Sequence, residues 1–521
     1  MASLRTRAIG LVFAALAAVA RAEQVSVDFQ SSIRPLTHAG SGFLHSFSTT
    51  APPDNLIVPI KPQLFRSYPE SGNTGIFPTY DRATAMSADT QIVVSDAYGY
   101  DALLPGDGGS WTAWEDLCHE IVNHAALEGK TVQYDLWNEP DEGIFWNRSK
   151  EQWLETWKRG VQAIRALDPS ATIVGPSVSN YNNTILPMHE FLTYARDNNV
   201  LPNVISWHQF SGDFTTEVND LRTFAAAQGI NVDRISLNEI VDQIDINKAG
   251  VMPRFFGQIE RNRIESAARS CWDESPGVNS CFNNSLDGLL TNDANLPRST
   301  WWTYERFGKM TGTSVSTIDS ESLGSVASRD TGAAYILLGR FDIPDNGNAA
   351  QLLLNNLDDI ANLIVNGQVH VRAERIVDSG LAASAGPITT INANFSVAGG
   401  TLLVSLPNFS TYDAYFVTLT APLPGDFNGD GKVDGADYVV WRNTNGSPSG
   451  YSTWRTHFGQ SSGSGVGAAI YFGIPEPTTR NFLLIGVLTI GSFRSARLSS
   501  KHRTTIALKL FQRSAILSKL N

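Results

Sequence analysis

The stretch Tyr134-Asp135-Leu136-Trp137-Asn138-Glu139-Pro140-Asp141 decides the fold that the sequence predicts. It continues a short apolar run that begins at Thr131 and is typical of a buried strand. Pro140 cannot continue a central strand, so Glu139 is expected where a strand gives way to a loop. In a barrel of parallel strands, catalytic side chains project from that rim. A carboxyl group among apolar neighbours has a raised pKa, which suits a proton donor near neutral pH.

A second stretch, Arg234-Ile235-Ser236-Leu237-Asn238-Glu239-Ile240, is also a short apolar run that ends in Asn-Glu. The two glutamates are separated by 239 − 139 = 100 residues, and two more strand-helix units fit between them. Glu139 would then end strand four and Glu239 strand seven of a (β/α)8 barrel. Two carboxylates about 5 to 5.5 Å apart are what retaining hydrolysis of a glycosidic bond needs, because one protonates the leaving oxygen while the other attacks the anomeric carbon.

Short apolar runs alternate with amphipathic helical patterns through the first 312 residues, which favours a parallel α/β barrel. From about residue 313 to 422 the pattern changes to short alternating runs separated by Gly, Asn, Asp and Pro, which is typical of an antiparallel β-sandwich. Eight barrel strands are predicted. The seventh is the stretch 234–240 quoted above, and the others are 40–46, 62–68, 90–96, 131–137, 171–177, 203–208 and 266–272.

The quoted stretches resemble the clan A glycoside hydrolases, in which the acid/base ends strand four and the nucleophile ends strand seven. Within that clan the chain is most similar to family 39, through Ser206-Trp207-His208, Asp287-Gly288-Leu289-Leu290-Thr291 and the run 297–304. The resemblance covers roughly residues 24 to 420. It implies a TIM barrel at 38–312, a β-sandwich at 313–422 and an N-terminal strand at 23–37 that joins the sandwich.

Four further residues are candidates for substrate binding. The resemblance implies that Asn138 binds the sugar 2-hydroxyl, and that an arginine near the end of strand two, here Arg66, lowers the pKa of Glu239 and keeps it ionised. Arg66 could instead form a salt bridge at the barrel bottom. His208 ends strand six and is either a sugar contact or a satisfied core group, and Trp272 is a candidate stacking platform for a pyranose ring.

Composition and charge exclude some functions. The chain has 521 residues, of which 42% are hydrophobic and 17% charged, enough for a large core and more than one domain. The formal net charge is −12, and no long basic patch lies between residues 23 and 420. Nucleic acid is therefore not expected as a partner, and little positive field is available for a heavily sulfated polymer.

The N-terminus is typical of a secretory signal peptide at 1–22. Arg5 and Arg7 precede an apolar run, and Ala20-Arg21-Ala22 fits a cleavage site. The alternative, a membrane anchor, requires a longer apolar run. Export implies an oxidising compartment, where Cys271 and Cys281 are close enough in sequence to form a disulfide, while Cys118 lies in a helical pattern and is expected as a buried thiol.

An acidic loop follows the predicted sandwich. Asp426, Asn428 and Asp430 alternate, Gly431 permits a sharp turn, and Asp437 stands at position twelve, a spacing of oxygen ligands that suits Ca²⁺ in an EF-hand-like loop. The alternative is an Asp/Gly-rich linker. The remaining ligand positions are occupied by Lys432 and Asp434.

The segment 423–460 resembles a dockerin type I repeat, but its second half lacks the acidic loop. A cohesin-like or cell-surface partner and a single-loop stalk both remain open. Residues 461–474 are a Gly/Ser-rich linker. Residues 475–497 resemble a PEP-CTERM sorting signal, which implies transient membrane contact, and 498–521 are a basic tail outside that pattern.

The sequence therefore predicts a secreted or cell-surface retaining glycoside hydrolase that cleaves O-glycosidic bonds in poly- or oligosaccharides, with no cofactor for the chemistry and Ca²⁺ in the dockerin-like loop. A β-linked plant or algal polysaccharide, or its oligosaccharides, is the expected substrate class. Two alternatives are a catalytically inactive carbohydrate-binding protein of the cell surface, and a structural surface protein that works through its Ca²⁺ loop and anchor.

Overall fold

The computed structural model describes residues 23–100, 103–274, 278–293, 295–342, 350–444 and 446–461. The predicted signal peptide, sorting signal and basic tail, and all but the first residue of the predicted linker, lie outside these residues. Within the described part, no helix is long and apolar enough to cross a membrane.

Eight parallel strands close into a barrel in chain order, which confirms the predicted TIM-type fold. The chain begins with β1 (Glu23–Pro35), which belongs to a second sheet. The barrel strands are β2 (Gly42–Phe43), β3 (Leu64–Ser67), β4 (Asp89–Val93), β5 (Gln133–Asp135), β6 (Thr172–Val178), β7 (Val204–Gln209), β8 (Ile235–Ile240) and β9 (Ser266–Arg269).

Helices connect successive barrel strands. The helix after β5 shows why they form: Ser149 accepts a hydrogen bond from the Gln152 amide at its N-terminus, and Trp153 and Trp157 are both 1% exposed on its inner face. The helices are α1 (Asp54–Ile57), α2 (Ile76–Ala85), α3 (Val94–Tyr98), α4 (Thr112–Leu127), α5 (Lys150–Leu167), α6 (Met188–Asp197), α7 (Thr215–Gln228), α8 (Met252–Arg261) and α9 (Ser299–Lys309), with 3-10 turns at Val58–Ile60, Asp107–Gly109 and Leu357–Leu363.

A two-stranded hairpin follows β9. It consists of β10 (Asp273–Glu274) and β11 (Val278–Asn279), and the predicted disulfide between Cys271 and Cys281 links the chain on either side of it. Cys118 is buried with a free thiol, as expected.

The accessory β-domain is one hydrogen-bonded sheet of nine strands, in the order β17-β16-β19-β14-β13-β12-β1-β15-β18. It is mixed, because β1 pairs antiparallel with β12 and parallel with β15. Val371 and Leu352 lie in opposite halves of the sheet but share one buried core, so the sheet curls over itself into two layers. The remaining strands are β12 (Thr313–Ile318), β13 (Leu323–Arg329), β14 (Ala334–Arg340), β15 (Ala350–Asn355), β16 (Gln368–Ile376), β17 (Ile388–Ser396), β18 (Leu402–Leu406) and β19 (Ala414–Thr420).

Two short helices, α10 (Gly435–Thr444) and α11 (Pro448–His457), follow the sheet. The barrel contacts the sheet through α8, which lies against β13. The contact is close because residue 257 is glycine: a Cβ atom built there would lie 2.0 Å from the backbone oxygen of Ser325. The side chain of Arg261 continues the contact by donating to Asp319 at 2.7 Å.

We expect Gly257→Ala to destabilise the protein by about 1 to 3 kcal/mol, because the added methyl group meets backbone that cannot move aside. Alanine is intrinsically the better helix former, so a loss of stability reports the contact with β13. The measurement is the urea midpoint of unfolding of the purified protein. Gly143→Ala is the control, since no atom lies within 4 Å of a Cβ at that position. Equal midpoints for the two variants would contradict the packing described.

Candidate active site

Glu139 lies just beyond β5, at the rim formed by the carboxyl ends of the barrel strands. Its backbone has a φ of 41°, in the left-handed region that few residues other than glycine adopt. Two hydrogen bonds hold this conformation: the Glu139 amide donates to the Ser177 carbonyl at 2.9 Å, and the Glu142 amide donates to the Glu139 carbonyl at 2.9 Å. The side chain therefore has a fixed starting direction over the barrel mouth.

Glu239 reaches the same rim from β8. The register of β7 and β8 shifts after Trp207, so that His208 is paired with Glu239. The strand ends sharply, because Val241 has a φ of 76°, a strained value for a β-branched residue. Both predicted glutamates are thus presented by strand ends with left-handed backbone.

The structure brings the two carboxyl groups together around one histidine. One oxygen of Glu139, one oxygen of Glu239 and one nitrogen of His208 all lie within 4.8 Å of one another. His208 Nδ1 is 2.7 Å from Glu139 Oε1 and 3.8 Å from Glu239 Oε2. The separation of the Glu139 and Glu239 oxygens, within 4.8 Å, is close to the roughly 5 to 5.5 Å of retaining glycosidases. It is well short of the roughly 6.5 to 9.5 Å that leaves room for a water in inverting glycosidases.

Glu139 is set up to hold a proton near neutral pH. Burial is the larger cause and the negative charge of Glu142 the second, and together they raise the pKa of Glu139 to about 7. The positive charge of Arg66 acts in the opposite direction but is outweighed.

Arg66 donates hydrogen bonds to three residues of the site. It is 1% exposed, and its guanidinium donates to Glu239 Oε1 at 3.0 Å, to Asn138 Oδ1 at 2.8 Å and to Asp135 Oδ2 at 2.9 Å. Arg66 therefore lies at the catalytic rim and not in a salt bridge at the barrel bottom.

The predicted effect of Arg66 on Glu239 is confirmed, since the guanidinium lowers the pKa of that carboxyl, but it does not decide the net direction of the shift. Arg66 and His208 favour the ionised carboxylate, as expected of nearby positive groups, but burial is the larger effect and raises the pKa of Glu239 overall. The guanidinium is also shared, because Asp135 makes an ion pair with it at 2.8 Å. Arg66 thus limits the upward shift and does not reverse it.

Asp135 was missed as a site residue. It is fully buried, and it accepts hydrogen bonds from Ser177 Oγ at 2.6 Å and Asn238 Nδ2 at 2.7 Å in addition to those from Arg66. A signal was present in the sequence, since an aspartate inside an apolar strand run is rarely buried without a partner. It is the last residue of β5 and lies four residues before Glu139.

The other candidates differ in what they can touch. His208 is 0% exposed and supports Glu139 through Nδ1, while its buried Nε2 has no hydrogen-bond partner among the described residues, so a sugar contact stays a prediction. Asn138 is 8% exposed at the rim, and its amide oxygen is already used by Arg66. Trp272 is half-buried after β9; its indole N–H donates to the Val241 carbonyl at 3.1 Å, and its ring packs 5.4 Å from that of Phe210.

The acidic loop lies apart from this rim. Asp437 is fully buried and Asp426 is 8% exposed, and their carboxylates accept hydrogen bonds from loop amides, including Gly431 to Asp426 at 2.8 Å and Asn428 to Asp437 at 3.0 Å. Burial, followed by the charges of Asp437 and Asp430, raises the pKa of Asp426. Two buried carboxylates of like charge fit a cation site.

The predicted ligand atoms of the loop do not form a close cluster. Among the described residues, Glu139, His208 and Glu239 form a group of acidic and histidine side chains with ligand atoms within 4.8 Å of one another. The described loop residues do not form such a group. The other predicted ligands surround the turn: Asp430 accepts from the Lys432 amide at 3.0 Å, and Asp434 accepts from the Ala436 amide at 2.7 Å.

Part of the barrel matches a family of known proteins. The family described as Glycosyl hydrolases family 39 matches residues 106–247, which include both rim glutamates. The solved structure of N2152 from Neocallimastix frontalis superposes with a TM-score of 0.67 at 25% identity, covering 77% of this chain and 100% of that one.

Two characterised relatives carry the names of glycosidases. A 3-O-alpha-D-galactosyl-alpha-L-arabinofuranosidase of Bifidobacterium longum subsp. longum is 26% identical over 228 residues, 42% of this chain and 18% of that protein. A 3-O-beta-L-arabinopyranosyl-alpha-L-arabinofuranosidase of Bifidobacterium pseudocatenulatum is 21% identical over 392 residues, 70% of this chain and 37% of that protein. The chain thus spans well under half the length of either relative.

The raised pKa of Glu139 can be measured directly. We expect the side-chain carboxyl carbon of Glu139 to titrate with a midpoint near pH 7 in ¹³C NMR spectra, assigned by its absence from Glu139→Gln. Glu142→Gln should lower the midpoint, because removing a nearby negative charge makes ionisation of Glu139 easier. Glu190→Gln, at an exposed position on α6, is the control and should leave the midpoint where it is. A midpoint at an ordinary glutamate value near 4.3 would contradict the account.

Proposed function

We propose that this protein is a retaining glycoside hydrolase that acts by double displacement. The observation that carries the proposal is the pair of rim carboxyl groups, Glu139 and Glu239, with oxygen atoms within 4.8 Å of each other. The family 39 match over residues 106–247 and the two glycosidase relatives support the same reaction class. The chemistry needs only proton transfer and a covalent intermediate, with no metal or organic cofactor.

In the first step, the carboxylate of Glu239 attacks the anomeric carbon while the protonated carboxyl of Glu139 gives its proton to the glycosidic oxygen. The bond between the anomeric carbon and that oxygen breaks, the alcohol leaves, and an ester joins the sugar to Glu239. Arg66 supports this step because its charge lies 3.0 Å from the attacking carboxylate and favours the ionised form.

In the second step, Glu139 takes a proton from a water that attacks the same carbon, and the ester to Glu239 breaks. The change of role follows from electrostatics. While Glu239 is esterified it carries no negative charge, so the pKa of Glu139 falls and its carboxylate becomes available as a base. His208, 2.7 Å from Glu139, holds the carboxyl in one orientation through both steps.

Three residues would hold the sugar or align the groups that react with it. We assign Asn138 to the sugar hydroxyl next to the anomeric carbon, because Arg66 fixes its amide oxygen and leaves the amide nitrogen to donate. Trp272, half-buried and anchored by its indole N–H, is assigned as a stacking face. Arg66 acts through Glu239 and Asn138 and is a positioning residue.

For the substrate we propose an uncharged glycan, with terminal α-L-arabinofuranose as the first glycone to test, since both relatives are named α-L-arabinofuranosidases. β-D-Xylosides and β-D-glucosides are the next candidates in a panel of 4-nitrophenyl glycosides. The alternative function, an inactive carbohydrate-binding protein of the cell surface, would keep the folded barrel without turnover of any member of that panel.

Azide rescue tests the roles of the two glutamates. Each of Glu239→Ala and Glu139→Ala should lose on the order of a thousandfold or more in kcat on the best 4-nitrophenyl glycoside. Azide should restore turnover in both, because the small anion occupies the space left by the carboxylate. The glycosyl azide from Glu239→Ala should have the anomeric configuration opposite to the substrate, and that from Glu139→Ala the same configuration.

The control for this experiment is Glu128→Ala, which alters an exposed carboxylate directly after the C-terminus of α4. It should keep wild-type kcat and give no azide product. Inversion of configuration by the wild-type enzyme, or the absence of any azide product from both catalytic variants, would contradict the mechanism.

We also propose that the loop of Asp426, Asn428, Asp430, Asp434 and Asp437, with the Lys432 carbonyl, binds Ca²⁺. Its buried like charges favour a cation, and its ligand spacing is that of an EF-hand. The module would serve as a stalk or as the contact for a cohesin-like partner. We further propose that the signal peptide exports the protein and that the C-terminal segment sorts it. Export with cleavage after Ala22 would leave Glu23 as the N-terminus of the mature protein.

Calcium binding is tested on the full-length protein. We expect isothermal titration to give one Ca²⁺ per chain for the wild type and none for Asp426→Ala, because that aspartate is a central ligand of the loop. Asp358→Ala, at an exposed position of the 3-10 turn Leu357–Leu363, is the control and should bind Ca²⁺ normally. Hydrolysis should survive in both variants. A wild-type protein that binds no Ca²⁺ at millimolar concentration would contradict the assignment.

A further inference from the structure

A cavity adjoins the catalytic rim on the side of β3 and β4. Its volume is about 630 Å³. It begins at Tyr68, directly after β3, and at Asp96 on α3, and it runs outward between α2 and α4. Asp96 accepts a hydrogen bond from the Tyr100 hydroxyl at 2.5 Å, and that hydroxyl lies 2.8 Å from Ser95 Oγ. Ser95 Oγ accepts from the amide of Asn138, the residue before Glu139, at 3.1 Å. The cavity therefore opens beside the reacting groups.

An exposed aromatic ring stands over this cavity. Phe282 is 64% exposed, yet it is held in place on two sides. The preceding residue, Cys281, is tied to Cys271 by the disulfide, and the ring of Phe282 stacks on that of His45 at 5.4 Å and 20°. His45 stacks in turn on Tyr68 at 5.4 Å and 19°. A fixed aromatic face left open to solvent beside a cavity is suited to pack against the C–H face of a sugar.

The polar groups of the cavity point to the charge of its occupant. Glu70, Asp96 and Glu120 line it, and among the described residues that line it there is neither lysine nor arginine. Carboxylates accept hydrogen bonds from sugar hydroxyls. A uronate or sulfated sugar would place its negative charge against three like charges, which costs several kcal/mol at an interface. An uncharged sugar meets no such penalty.

We propose that the cavity between Tyr68, Phe282 and Glu120 is a second sugar-binding subsite, which holds an uncharged sugar unit adjoining the one whose glycosidic bond is cleaved. This inference rests on the proposed hydrolase function and adds to it a preference for chains over single sugars. The volume is within the range of pockets that hold small ligands, and it leaves room for one or two sugar rings. The loop after β9, closed by its disulfide, is the element that would set this preference.

The test measures binding without turnover. In a Glu239→Gln background, isothermal titration is carried out with neutral trisaccharides, namely xylotriose, α-1,5-arabinotriose, cellotriose, mannotriose and galactotriose, and with trigalacturonic acid. We expect at least one neutral trisaccharide to bind at least tenfold more tightly than its monosaccharide. Adding Phe282→Ala to this background should weaken the binding of that trisaccharide about tenfold. Phe282→Tyr, which keeps the aromatic ring, should retain most of the affinity. Trigalacturonic acid should bind at least tenfold more weakly than the best neutral trisaccharide.

Ile318→Ala is the matched control, because it also removes an exposed apolar side chain, 70% exposed on β12, but far along the chain in the other sheet. It should leave all affinities unchanged, and equal thermal midpoints should show that each variant is folded. The subsite is overturned if Phe282→Ala binds trisaccharides as the background does, if no trisaccharide binds more tightly than its monosaccharide, or if trigalacturonic acid binds as tightly as the neutral sugars.

The outcome for the subsite is separable from that for the hydrolase. If wild-type enzyme cleaves 4-nitrophenyl glycosides but trisaccharide binding does not depend on Phe282, the subsite fails and the proposed function stands. If trisaccharides bind through Phe282 but the wild type shows no turnover and no azide rescue, the proposed function fails while the binding site remains.

Discussion

One buried guanidinium organises the catalytic rim. Arg66 contributes a single positive charge from β3 and joins Asp135 on the fourth barrel strand, and Asn138 just after it, to Glu239 on the seventh. A buried charge is tolerated only when its hydrogen bonds are satisfied, and removing one partner of such a pair costs roughly 3 to 5 kcal/mol. The requirement to satisfy Arg66 therefore fixes the two strands relative to each other. Because burial outweighs the charges of His208 and Arg66, Arg66 aligns Glu239 without lowering its pKa below the ordinary value.

The backbone around this ion pair carries strain that matches its function. Glu139, Ser177 and Val241 all adopt positive φ angles, and each such residue costs about 1 to 3 kcal/mol. The strain persists because the surrounding barrel holds it, through bonds such as that from the Glu139 amide to the Ser177 carbonyl. This backbone places the two carboxyl groups in position before a sugar binds, so that little reorganisation accompanies the reaction.

Local sequence patterns predicted the barrel, its two rim glutamates and the disulfide. The features that they did not predict depend on contacts between residues far apart in the chain. The barrel strands followed from short apolar runs, Glu139 and Glu239 from the two runs that end in Asn-Glu, and the disulfide from the short spacing of its cysteines. The role of Asp135 could not be deduced, because its partners lie on β3, β6 and β8 and meet only when the barrel closes. The parallel pairing of β1 with β15 joins segments more than three hundred residues apart, which no local pattern encodes. The net pKa of Glu239 depended on depth of burial, which a motif does not reveal.

The covalent intermediate is the most direct test of the whole account. The wild-type enzyme is incubated with a 2-deoxy-2-fluoro glycoside that carries an activated leaving group and the glycone of its best substrate, then digested and analysed by mass spectrometry. The account predicts that the mass of one fluorosugar is added to the peptide that contains Glu239, and that the Glu239→Gln enzyme gains none. Attachment to any other residue, or no adduct from an enzyme that turns over the parent glycoside, would contradict it.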